Sequence, residues 1–326
     1  MNDQDSTHTK QSSSGCRPQT RARRRFRLLF AAGSSTSAAR IPAAALLLVL
    51  FCAFELCART HPPRRSSGEP SQEGAQQLVR EVVWNEIQAQ THDHSHWRFH
   101  ETQWKDTARK LYDVIQTKYG DLHRLIAING RPLAGPALQA EDSRVEKLST
   151  EPDEVAQAQK RRDADAKQEL RLLRMLPHAF IFHEAGREGD IETLSFVPDP
   201  TFHPSSHEAE VFHHMEGKLL VNARLKRLVQ IDGRLTSRVN FWGGLLGHLD
   251  KGGTFKVEQR DVADGHWDEV FLQVNMNGKA LFFKTISVHQ HEAYSDYRRV
   301  PDDMSLQQAA RELKKDVESN DRVNGE

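Results

Sequence analysis

Cysteine is missing from most of this sequence: of 326 residues only Cys16, Cys52 and Cys57 are cysteines, and all three precede residue 59. The body that follows therefore has no internal disulfide, no thiolate nucleophile and no cysteine metal ligand, and an oxidising compartment would leave it unchanged. Charge of one sign is missing too. The 45 basic residues balance the 45 acidic ones, but residues 1–58 hold eight Lys or Arg against three Asp or Glu, so the body is slightly acidic. A nucleic-acid binder needs a concentrated basic face, which such a body does not supply. No apolar run reaches the roughly 20 residues of a spanning helix; the strongest, residues 41–54, stops short. Catalytic motifs are lacking as well. His183, His207 and His291 each precede a Glu without the second histidine of a zinc-protease helix, and neither G-x-S-x-G nor a phosphate loop occurs. Carboxylate pairs such as Glu208 with Glu210 are expected by chance among 45 acids. No general acid or base is assigned to them, and neither enzymatic activity nor a cofactor is expected.

What is present begins with an ordered amino-terminal segment. Residues 1–20 are polar and read as disordered, residues 21–27 are a dense basic cluster, and the apolar run 41–54 ends in small residues near Ala58. A basic region, an apolar run and a small-residue end are the layout of a secretory signal. The expectation is export to the periplasm or cell envelope with cleavage near Ala58. The alternative is an uncleaved segment, residues 41–58, anchoring the chain in the inner membrane. Phe51 and Leu56 stand where lipoprotein processing wants a small residue before Cys52 and Cys57, which argues against lipidation.

Beyond the segment 1–58, residues 59–75 read as a linker rich in Pro, Ser and Gly, and residues 76–316 as one folded domain, with 317–326 a disordered tail. Val79, Val82, Val83 and Ile87 make an amphipathic helical stripe over 76–90. Strands are expected over 109–119, 123–128, 178–185, 191–197, 217–222, 227–231, 254–260 and 267–276, with the last continuing through an Asn277-Gly278 turn into 279–289. Asn129-Gly130 marks another turn. Residues 136–176 interrupt the strands with one or two long helices, of which 153–167 is so polar that it should barely pack; a short helix over 305–315 follows the last strand. The predicted fold class is α+β: a curved, mostly antiparallel sheet of about nine to eleven strands, a half-barrel covered by helices, with a helical insertion at 136–176.

Histidine is the unusual residue, with 16 after position 58. In an extended strand His92, His94 and His96 would share a face, and three imidazoles on one face suit zinc or copper; the alternative is a solvated connection between helix and strand. The segment 241–247 (FWGGLLG) reads as an apolar, glycine-hinged turn. Its Trp242, Leu245 and Leu246, with Phe255 and Phe282, are the candidate contacts for a greasy ligand, and Phe271 and Phe283 are further aromatics expected on the concave surface.

Residues 215–232 (MEGKLLVNARLKRLVQID) form an apolar-alternating strand–turn–strand, preceded by a signal-like segment and a helix and followed by further hairpins. This arrangement resembles the periplasmic lipoprotein-carrier and outer-membrane lipoprotein-sorting family, over about residues 75–300. The resemblance implies a half-barrel that holds acyl chains against a greasy face beneath helices acting as a lid. The segment 136–176 and the histidine content depart from that pattern. Three readings compete: a carrier for a lipid, a lipoprotein acyl chain or another apolar ligand; an envelope interaction or structural protein whose groove is filled by its own side chains; and a histidine-based metal-binding protein. No nucleic-acid partner is expected.

Overall fold

The computed structural model describes residues 70–323, apart from 106, 152, 207, 242–246, 264 and 281–283. Residues 1–58, expected to be a signal or anchor, and the expected linker up to residue 69 lie outside the described residues. In chain order the elements are α1 (Pro70–His92), β1 (His96–Lys105), β2 (Ala108–Ile115), β3 (Leu122–Ile128), β4 (Arg131–Pro132), α2 (Gly135–Thr150), α3 (Asp153–Ala179), β5 (Phe180–Glu188) and β6 (Ile191–Pro198). A 3-10 helix (Glu208–His214) leads into β7 (Met215–Asn222), β8 (Arg227–Leu235), β9 (Val239–Phe241), β10 (Gly247–Leu249), β11 (Thr254–Ala263), β12 (His266–Ala280), β13 (Lys284–Val300) and α4 (Leu306–Val323).

The strands form one antiparallel sheet of 13, in the order β4-β3-β2-β1-β13-β12-β11-β8-β7-β6-β5, with β10 pairing β12 and β9 off that path. The sheet is open, ending at β4 and β5. Directly paired residues point to the same face, so a row can be followed across it: Leu194, Leu219, Ile231, Val257, Leu272, Glu292 and Gln103. The row is apolar from β6 to β12 and turns polar at β13. Beside it runs Phe182, Phe196, Gly217, Gly233, Phe255 and Val274. The two glycines make room for rings: a Cβ on Gly217 would stand 2.8 Å from Phe196, and one on Gly233 2.5 Å from Phe255.

Helices α1 and α3 cover the apolar part of this face and share one core with it, in which Val79, Val82, Leu172, Phe180, Leu194 and Leu272 are all buried. On β2 and β3 the opposite face is used. Ile115 and Leu122 pack against Val145 and Leu148 of α2 and Leu306, Ala309 and Leu313 of α4. Arg124, fully buried, ties the three together by donating to Asp142 (2.9 Å) and to the Leu313 carbonyl (3.1 Å).

Several boundaries differ from the expected ones, each for a physical reason. Helix α1 begins at Pro70, inside the expected linker, because proline is tolerated in a first helical turn. Helix α4 continues to Val323, well past residue 315 and through most of the expected tail. The polar stretch 153–167 does pack: Val155 is buried, and Arg162 reaches Asp121 at 3.3 Å. Asn277-Gly278 is no turn. Both residues lie inside β12, neither has a positive φ, and the chain reverses between Ala280 and Lys284. Gly278 is there because β10 crosses closely, so that a Cβ would stand 2.1 Å from the His248 carbonyl oxygen. By register Phe271 pairs with Ala293 and so faces away from the Leu272 row, contrary to the expected concave placement. Among the described residues no helix is long and apolar enough to cross a membrane.

Candidate functional site

Helices α1 and α3 run antiparallel: at the start of α1 the Gln76 side chain donates to the carbonyls of Pro177, near the end of α3, and Phe180, the first residue of β5 (3.2 Å for the latter), while Gln90 near the end of α1 and Arg162 near the start of α3 line one cavity. Each presents one stripe to the sheet. On α1 the stripe is Val79, Val82, Val83, Glu86 and Gln90; on α3 it is Arg162, Ala166, Glu169, Leu173 and Leu176. Both spacings keep to one helical face. Between these stripes and the sheet lies a cavity of about 490 Å³, within the roughly 300–1,000 Å³ usual for small-molecule sites.

The lining is graded along both helices. Going down α1 it changes from valine to Glu86, Gln90 and then Asp93; going up α3, from Arg162 and Asp163 to Leu173 and Leu176. The antiparallel pairing aligns the two gradients, so one end of the cavity is apolar and the other polar. The sheet follows suit, with Phe180, Phe196, Leu219 and Phe255 on the apolar side, joined by Phe212 of the 3-10 helix, and Gln259, His266 and Asp268 on the polar one, joined by Gln116 just after β2. At the apolar end the rings pack edge to face, Phe180 lying 4.8 Å from Phe196 and 5.3 Å from Phe212 between centroids.

The charges on the polar side are arranged in pairs. Glu86 faces Arg227 at 3.1 Å and accepts the Leu228 amide at 3.0 Å, yet burial prevails and raises its carboxyl above the usual range. His266 stacks on Trp97 (4.3 Å between centroids) with Nδ1 2.9 Å from Asp93 and Nε2 3.5 Å from Asp268. Burial opposes the imidazolium, but the two carboxylates prevail and raise its pKa. Asp93 is likewise penalised by burial, and hydrogen bonds from Ser95 together with His266 hold it below the ordinary value.

A second polar cluster lies on β1, β3 and β13. Glu101 and His123 are fully buried and 3.2 Å apart, and Glu101 also accepts from Gln103 (2.7 Å). Glu292 accepts from Tyr294 (2.6 Å) and Gln290 (3.0 Å). Burial, then the charge of Glu101, pushes the Glu292 carboxyl up to about 7. Burial, followed by Glu101 and Glu141, likewise pushes the Tyr112 phenol up to about 12. None of these residues lines the cavity.

Of the residues singled out from sequence, Phe255 lines the cavity. Trp242, Leu245, Leu246, Phe282 and Phe283 lie outside the described residues. The extended run needed to align His92, His94 and His96 is not formed, since His92 closes α1 and only His96 is in a strand. His92 Nδ1 meets the Gln88 carbonyl at 3.0 Å, His96 stands 3.4 Å from Asp302, and His94 is exposed. Among the described residues no group of three or more His, Cys, Asp or Glu is placed to hold a metal ion. Within that histidine-rich stretch Asp93 and Ser95, rather than an imidazole, reach the cavity. Asp93, Glu169 and His266 are not singled out from sequence, and the charge run 160–165 reads there as a solvated helix face, whereas Arg162 is largely buried against Asp121 on the cavity wall. The repeat of three and four residues from Arg162 to Leu176 was the available signal. Comparison with protein-family models, curated proteins and solved structures returns no match.

Proposed function

We propose that the chain is a non-enzymatic carrier of the cell envelope that holds an amphiphilic ligand in the cavity beneath α1 and α3. The observation that carries this reading is the graded lining: a cavity apolar at one end and charged at the other suits a molecule with a chain and a head group. In this reading the open sheet curls as a half-barrel, α1 and α3 form its cover, and the amino-terminal segment directs export. Binding would come from burial of the chain, at about 0.8 kcal/mol per methylene.

The phenylalanine packing at the apolar end favours a second reading, an interaction protein whose groove is filled by its own side chains. Ala166, on the cavity wall of α3, separates the two. Ala166→Trp should fill the space and weaken uptake of a fluorescent acyl probe at least roughly tenfold, or about 1.4 kcal/mol. No uptake by either the parent or the variant would sink the carrier reading and leave the second.

A further inference from the structure

We propose that the ligand of this cavity carries a cationic head group. The inference rests on the carrier reading above and adds the chemistry of the head. Carboxylates lining the cavity outnumber basic side chains by seven to three, the bases being Arg162, Arg227 and His266. Each base already faces an acid of the wall: Arg162 lies 3.3 Å from Asp121, Arg227 3.1 Å from Glu86, and His266 2.9 Å from Asp93. A phosphate or carboxylate entering the polar end would have to dismantle one of these pairs or add like charge to an acidic wall. Partial burial makes that repulsion stronger than it would be in water.

An ammonium group meets the opposite situation. Asp163 lines the same end, one helical turn from Ala166, and the hydrogen bond it accepts comes from a neutral donor, Gln159 (2.8 Å). A ligand cation would supply the charge partner that this carboxylate lacks among its described contacts. The apolar end argues in turn against a small hydrophilic cation, because Val79, Val83, Leu173 and Leu176 offer it nothing. What fits both ends is an alkyl or acyl chain ending in an amine or quaternary ammonium.

The test compares three probes of one chain length, dodecylamine, dodecanol and dodecanoate, titrated below their aggregation limits into the full-length protein. Tryptophan fluorescence reports binding, because Trp97 and Trp267 line the cavity. The expected order is amine, alcohol, carboxylate, with at least a roughly tenfold gap between the first and the last. Asp163→Asn, verified as folded by its thermal melt, should narrow that gap several-fold. Equal affinities, or dodecanoate binding tightest, would overturn the cationic head while leaving the carrier reading intact. So would a full gap persisting in the Asp163→Asn variant. Failure of all three probes to bind would overturn the carrier reading and this one with it.

Discussion

Glu292 shows how one residue's surroundings decide its chemistry. In the row across the sheet its neighbour on β12 is the apolar Leu272 and its neighbour on β1 is Gln103, with Glu101 lying diagonally across on β1. With its carboxyl raised from the ordinary 4.5 to about 7, the folded protein keeps a proton that the unfolded chain releases. This contribution is therefore most favourable below about pH 4.5, erodes as pH climbs toward 7, and leaves the fold weaker by roughly 3 kcal/mol above that. Glu292→Gln should remove the dependence, melting higher than the parent near pH 8 while gaining nothing near pH 4. Melting curves with the same pH slope in both proteins would show that the proton sits elsewhere. None of this is legible in the sequence, where Glu292 is one of 45 acids. Its burial depends on which strand lies beside it, and that is not encoded locally. His266 is hidden for the same reason, since its partner Asp93 stands 173 positions away.

At the scale of elements, the same dipeptide behaves in two ways. Asn129-Gly130 makes the expected turn, with φ of 51° and 78° and Ile128 paired to Arg131, as a two-residue hairpin loop requires. Asn277-Gly278 stays extended because β12 has a further partner there: β10 pairs with it at Leu249 and Gly278, while β13 pairs on the other edge. A strand held on both sides cannot turn, and short-range signals do not reveal the second partner. Gly278→Ala is expected to force β10 off β12, destabilising by roughly 1–3 kcal/mol in urea unfolding. Gly186→Ala, where nothing lies within 4 Å of the new carbon, should change stability by no more than about 0.5 kcal/mol. If the two variants unfold alike, the close crossing at Gly278 is wrong. Elements whose signal is local were legible: the valine stripe of α1, the alternation of β7 and β8, and the helical composition of 136–176. The polar start of α3 was underrated because its packing rests on Val155 and on the Arg162–Asp121 pair, whose partners lie outside the helix.

On the scale of the whole molecule, a large antiparallel sheet with a few helices is what the alternating hairpins promised, at 13 strands rather than nine to eleven. The added strands are β1, whose ten residues alternate no apolar pattern strong enough to be read, and three very short ones. β4 has two residues and β9 and β10 three each, too few for alternation to register. Of the cavity, sequence reasoning reached Phe255 and the valine stripe of α1, but not their convergence. The cavity exists because α1 and α3, far apart in the chain, meet antiparallel with their polarity gradients aligned. A ligand held in this cavity would stay with the protein through purification. Native mass spectrometry of the protein purified from an expressing bacterium without detergent would detect it. The expected result is a mass above that of the polypeptide, with the excess lost on organic extraction and matching an amphiphile. A clean polypeptide mass under the same conditions would contradict the carrier reading.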